Sequence, residues 1–185
     1  MTAILTAAGV IVVLVLLIYN HLVGKKNQVA NAFSSIDVLL KKRFDLIPNL
    51  TKTVKRYMQH EADILTQVTE MRTNAVSGQM TEAEIVAMDQ KVTRALGRIM
   101  VAVENYPELK SSDTFLNLQA SLNEVEEQIS AARRAYNASV KDYNNALEMF
   151  PSNMVARLMR YQSKVFFEID AREGQPVDVG QLFNT

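Results

Sequence analysis

The chain has no cysteine and no tryptophan, and only six glycines and four prolines in 185 residues. The lack of cysteine excludes disulfides, thiolate metal sites and cysteine nucleophiles, and suits a chain on either side of a membrane. Scarce glycine and proline, beside many Ala, Leu, Glu, Lys, Gln and Met, favour helix over sheet. Twenty Lys and Arg balance twenty Asp and Glu, so the positive excess of a nucleic-acid-binding surface is missing. Gly78 and Gly97 stand alone, outside any glycine-rich phosphate loop. No serine occupies the strand–turn–helix setting of a nucleophile elbow. His60-Glu61 opens like a zinc-protease motif, but the second histidine position is Ile64, so two ligands do not share a helix face. Carboxylates such as Glu82 and Glu84, or Glu124, Glu126 and Glu127, read as solvated helix surface. Neither histidine has the Glu neighbour of a di-metal bundle. The reading is of a chain with no catalytic, cofactor or metal site, no small-molecule substrate and no nucleic-acid partner.

What is present begins with an apolar run. Ala3 to Tyr19 reads AILTAAGVIVVLVLLIY, and the first charged side chain is Lys25. As a helix, Thr2 to Val23 spans ~33 Å, enough for a ~30 Å hydrocarbon core. No Lys or Arg precedes the run, and it ends in Tyr19-Asn20-His21-Leu22 instead of a small-x-small cleavage site. A retained anchor is therefore expected in place of a cleaved signal. Tyr19, Lys25 and Lys26 flank the membrane, and Lys41-Lys42-Arg43 follow. The positive-inside rule places the folded part in the cytoplasm, on a single-pass protein. Membrane lipid is thus the first expected partner.

The remainder is written in heptads. Phe33, Ile36, Leu40, Ile47, Leu50, Val54, Tyr57, Ile64, Val68 and Met71 keep one phase, with Glu61 as the polar intruder. Pro48 removes one backbone hydrogen bond, yet the phase survives it. The expectation is a kinked, nearly continuous helix from the membrane to about Ala75, ended near Gly78. Thr81-x-x-Glu84 is a capping box. The next seam is Ile85, Met88, Val92, Ala95, Ile99 and Val103, stopping before Tyr106-Pro107. A third run from Phe115 to Phe150 is broken by Pro151, and a last helix is expected through Val155, Leu158, Tyr161 and Val165. The fold expected is all-α: a transmembrane helix continuing into an up-and-down bundle of about four long helices. Its divisions are an anchor at 1–23, a bundle at 24–168 and an extended or disordered tail at 169–185, where Gly174, Pro176 and Gly180 oppose helix.

Polar residues within the seams draw notice. Residues 24–60 carry Lys25, Lys26, Lys41, Lys42, Arg43, Lys52, Lys55 and Arg56 against only Asp37 and Asp45. Lys41 lies ~24 Å beyond Lys25 on a straight helix, and screening acts over ~8 Å, so only the first pair feels lipid headgroups. Lys42 and Arg43 are expected to face acidic residues of another helix or of another protein. Tyr136-Asn137 recurs one heptad later as Tyr143-Asn144. Buried hydroxyls and amides need partners, so these residues either set helix register or form a ladder for a partner helix.

A set of motifs runs along the chain: Tyr19-Asn20, Asn27-x-Val29, Ile36-Asp37-Val38-x-Leu40, Arg43-x-Asp45-Leu46-Ile47-Pro48-Asn49-Leu50, Tyr57-x-x-His60-Glu61, Tyr106-Pro107, Leu116-x-Leu118-Gln119, Arg133-x-x-Tyr136-Asn137, Tyr143-Asn144 and Phe150-Pro151-x-Asn153. They carry a resemblance to the LemA family of bacterial membrane proteins, which implies the bacterial inner membrane. The resemblance also implies an N-terminal anchor, a helical bundle and no established enzymatic activity. Arg43, Asp45, Pro48 and Asn49 are expected to form a polar knot that locks the kink against the third helix near Arg133 to Asn144. The functional expectation is a non-enzymatic scaffold, oligomeric envelope component or adaptor, with a homo-oligomer or another membrane protein as partner. The rival expectations are a subunit that completes an enzyme site in a partner, and a sensor of anionic lipid surfaces.

Overall fold

The computed structural model describes residues 1–58, 62–77 and 81–167. Six helices follow in order: α1 (Thr2–Lys55), α2 (Ala62–Ser77), α3 (Glu82–Val103), α4 (Pro107–Lys110), α5 (Asp113–Glu148) and α6 (Ser152–Leu158). From Tyr161 to Phe167 the chain is extended, and no strand occurs among the described residues.

α1 joins the apolar run and the first heptads into one 54-residue helix that passes through Pro48. Proline frees the carbonyl one turn earlier. Burial of Phe44, Ile47, Leu50 and Val54 on both sides of Pro48 holds the helix together. The large apolar residues from Ile4 to Leu17 are exposed, whereas Leu22, Val29, Ile36 and Leu40 are buried. α5 runs antiparallel along α1, since Lys25 meets Asp142 and Lys42 meets Gln128 and Glu124. Its buried set is Phe115, Leu122, Val125, Ile129, Tyr136, Val140, Tyr143 and Ala146, which follows the expected third run as far as Tyr143, whereas the run's last member, Phe150, is exposed.

The expected continuation of the first helix to Ala75 is wrong. α1 ends at Lys55, and Met58 tucks into the core within the turn. Asp89 on α3 then lies beside Arg43, twelve positions before the end of α1. Twelve residues of helix are ~18 Å, and the sixteen of α2 are ~24 Å, so α2 runs back along α1 before α3 rises again. The apolar phase misled because α2 turns its own seam to the same core: Leu65 and Val68 join Val92, Ala95 and Ile99 there. A spacing of three and four marks a buried face, whichever way the next helix points. Glu61 and His60 fall at 59–61, and Gly78 at 78–80, outside the described residues. The capping box opens α3 as expected: the Thr81 amide donates to Glu84 Oε2 at 2.8 Å, and the Glu84 amide donates to Thr81 Oγ1 at 3.3 Å.

The expected last helix is the second correction. α6 has seven residues and stops at Leu158. Arg160 takes a left-handed φ of 55°. Its amide donates to the Arg157 carbonyl at 3.1 Å, and that of Tyr161 to Ala156 at 3.0 Å, the paired bonds of a Schellman motif. Leu158 and Val165, two of the four expected seam residues, are 77% and 81% exposed. The bundle thus has four long helices, but they are α1, α2, α3 and α5. The tail expected at 169–185 lies outside the described residues.

Candidate functional site

Two polar devices sit on the inner face of α5. The first is a ring of two cations and two anions. Arg43 on α1 is 3% exposed and Asp89 on α3 is fully buried. Arg43 Nη1 donates to Asp89 Oδ1 at 3.1 Å and to Thr93 Oγ1 at 3.0 Å, and lies 2.9 Å from Glu126 Oε2 without hydrogen-bond geometry. Arg133 Nη2 donates to the other Asp89 oxygen, and Arg133 Nη1 is 3.7 Å from Glu126 Oε1. Like charges therefore alternate with opposite ones, and the ring is neutral. Burial pushes the Asp89 carboxyl above its ordinary value, against the pull of Arg133 and Arg43. Burial likewise lowers Arg43, against the pull of Glu126 and Asp89. Such a ring ties α1, α3 and α5 in one register, because any shift strands a buried charge.

The second device is an amide ladder. Asn144 Nδ2 donates to the Lys164 carbonyl at 2.9 Å, and the Lys164 amide donates back to Asn144 Oδ1 at 2.9 Å. One heptad earlier, Asn137 Nδ2 donates to the Phe167 carbonyl at 3.0 Å, and the Phe167 amide donates to Asn137 Oδ1 at 2.8 Å. Tyr136 Oη donates to the Val165 carbonyl at 3.2 Å. Seven residues of helix rise ~10.5 Å, and three of extended chain cover ~10 Å, so the two periods match. Each asparagine presents one acceptor and a donor pair, and so pairs with main chain as a neighbouring strand would. The grip reads backbone, not side chains, except at Phe167. That ring is 2% exposed, edge-on to Tyr136 at 6.3 Å and beneath the Arg133 guanidinium at 5.3 Å. Phe33 of α1 closes the group, 5.7 Å from Tyr136.

The expected site residues divide accordingly. Tyr136, Asn137, Tyr143 and Asn144 come together, but their asparagines hold an extended segment of the same chain and not a helix. Arg43 reaches Arg133 through Asp89. The expected polar knot does not form, because Asp45, Pro48 and Asn49 are exposed. Asn49 lines an open cleft of about 550 Å³ with Lys52, Arg56 and Tyr57, away from the ring. Pro48 needs no knot, since apolar burial carries the helix past it. Lys25 pairs with Asp142 at 2.9 Å, Lys26 lies 5.6 Å over the Tyr161 ring, and Tyr19 is half-buried against α6. Sequence reasoning missed Asp89 and Phe167, and it read as solvated surface Glu126, which stands in the ring. A signal for Asp89 existed: it stands between Ile85 and Val92 at seam spacing. No group of metal-binding side chains is found among the described residues.

A model of the LemA family matches residues 32–180. The chain belongs to the LemA family. Its relatives include magnetosome protein MamQ 2 of Paramagnetospirillum magneticum, 26% identical over 89% of this chain and 70% of that protein. The protein LemA of Metamycoplasma hominis is 24% identical over 89% of this chain and 75% of that protein. MamQ of Magnetospirillum gryphiswaldense is 25% identical over 89% and 70%. The ring residues Arg43, Asp89, Glu126 and Arg133 and both ladder asparagines fall within the matched LemA-family region. So does Phe167, whereas the apolar run precedes it.

Proposed function

We propose that this LemA-family protein is a single-pass, membrane-anchored and non-enzymatic scaffold, oligomeric envelope component or adaptor, which works by association. One observation carries the reading. The exposed apolar stretch and the bundle core are parts of the same helix α1, so the fold is coupled rigidly to its anchor instead of hanging from a linker. A rod of this kind carries the long α5 face at a set position along the anchor axis. Lys25 and Lys26 directly after the span support a cytoplasmic bundle. Relatives named as magnetosome proteins fit a part in a larger assembly. The test is extraction of the full chain from membranes in mild detergent, followed by mass determination of the intact particle. A defined multimer supports a scaffold, and a stoichiometric second protein supports an adaptor. A bare monomer overturns both.

A further inference from the structure

Large apolar side chains stand exposed at one end of the bundle. Met149 and Phe150, in the turn between α5 and α6, are 64% and 79% exposed, and Met154 and Leu158 on α6 are 64% and 77%. Met154 and Leu158 lie one turn apart on the outer face of α6. Val155 and Ala156 on the inner face bury against Leu22, with Ile18 and Tyr19 packed alongside. Elsewhere on the bundle, exposed large apolar residues such as Val38, Val101 and Leu116 are scattered along separate helices. A contiguous apolar patch on a folded domain marks a surface that meets a partner or a membrane.

The antiparallel pairing of α1 and α5 sets the height of this elbow. Leu22 shares a cluster with Ala146. Phe150 lies four residues beyond Ala146 and is therefore level with about Ile18. Ala3 to Leu22 as helix is ~30 Å, the thickness of the hydrocarbon core. If that stretch spans the bilayer, Phe150 lies ~6 Å inside the near boundary. Arg157 and Arg160 stand beside these apolar residues in the sequence, and Lys26 lies over the Tyr161 ring just beyond them, against Glu148 and the Lys25-paired Asp142. An apolar face rimmed by cations is the make-up of an element that lies in the headgroup–acyl boundary.

We propose that the α5–α6 elbow, through Met149, Phe150, Met154 and Leu158, is a second membrane contact that inserts into the lipid boundary beside the anchor. The proposal rests on the anchored reading above and adds to it. One helix alone leaves the bundle free to tilt and to swivel about its axis. A second contact on one side of α1 removes both freedoms and fixes which face of α5 looks along the membrane. Any protein partner for this patch would first have to displace lipid from it.

The absence of cysteine makes the test direct. Single cysteines replace Phe150, Met154, Leu14 and Val38 in the full chain, each carries an environment-sensitive fluorophore, and the protein is placed in liposomes that contain nitroxide lipids. The labels at Phe150→Cys and Met154→Cys are expected to lose most of their emission to nitroxides near the top of the acyl chain, and to resist aqueous iodide. Leu14→Cys is expected to be quenched by deep nitroxides, and Val38→Cys by iodide alone. Elbow labels open to iodide while Leu14→Cys is lipid-quenched would overturn the proposal and leave the anchor standing. Elbow labels shielded from both quenchers would overturn it in favour of a protein cover. A Leu14→Cys label open to iodide would overturn the anchor and the elbow contact together.

Discussion

The two halves of α5 solve the same problem with different means. Its first half, Phe115 to Arg133, packs in a four-helix arrangement with α1, α2 and α3, closed by the Arg43–Asp89–Arg133–Glu126 ring. Its second half, Tyr136 to Ala146, extends past the reach of α3. α5 has 36 residues and α3 only 22, a difference of ~20 Å of helix. There α1 and α5 lose α2 and α3 as neighbours: α6 packs on them at Leu22 and Ala146, and the segment from Tyr161 to Phe167 is laid against α5. A helix pair alone leaves part of its apolar seam wet. A main-chain strap held by asparagines covers part of that seam. Arg133 sits at the junction, paired with Asp89 on one side and stacked on Phe167 on the other.

The comparison breaks most sharply at Asp89. Asp89→Ala leaves two arginines facing one partly exposed carboxylate, and should remove about 3–5 kcal/mol of global stability in denaturant titrations. On the strap side the loss should be local. Asn137→Ala or Asn144→Ala removes two hydrogen bonds, so each should release about 2 kcal/mol. Hydrogen exchange reads this as faster exchange at the Lys164 and Phe167 amides, with α1 near Arg43 unchanged. Equal acceleration in both places would mean that the halves form one cooperative unit.

Acidity separates the buried ring from the surface carboxylates in sign. Asp142 is held below its ordinary value by its hydrogen bond and charge pairing with Lys25, and Glu84 by its bonds to Thr81. Their contributions are present above the unfolded values of 3.8 and 4.5, and disappear as the pH falls through the lower native values. Asp89 does the reverse. Its native value is raised by burial, so stability drops as the pH rises from 3.8 through that native value. Denaturant titrations of wild type and Asp89→Asn across this range should show that drop in the wild type only. Smaller still is Arg160→Gly, which relieves a left-handed residue and should add about 1 kcal/mol to the strap and α6. Asp45→Ala should fall within about 0.5 kcal/mol, since that side chain is exposed. An equal loss at Asp45 and Asp89 would restore the knot at Pro48 that the structure dissolves.

Periodicity made the long elements legible. The seams of α3 and α5, the capping box at Thr81 and the passage through Pro48 follow from apolar spacing and cap chemistry, which act within a few residues. The reversal after Lys55 was hidden because neither glycine nor proline marks it and the apolar phase crosses it intact. The end of α6 was hidden because Val155, Leu158, Tyr161 and Val165 keep helical spacing although Leu158 and Val165 meet no surface that buries them. Tyr136, Asn137, Tyr143 and Asn144 stood out as polar residues beside an apolar seam. That their partner is main chain from the same molecule depends on which segment arrives there.

Local chemistry alone therefore determined an all-α chain with an apolar arm, a set of amphipathic faces and the polar residues that interrupt them. Tertiary structure decided which faces meet, that Arg43 and Arg133 share Asp89, and that an extended strap completes the core in place of a last helix. The physical reason is range. Helix propensity, caps and amphipathic spacing are settled by neighbours within a turn or two. A buried charge or amide chooses among partners scores of residues away, and the choice falls to whichever chain direction leaves none of them unpaired.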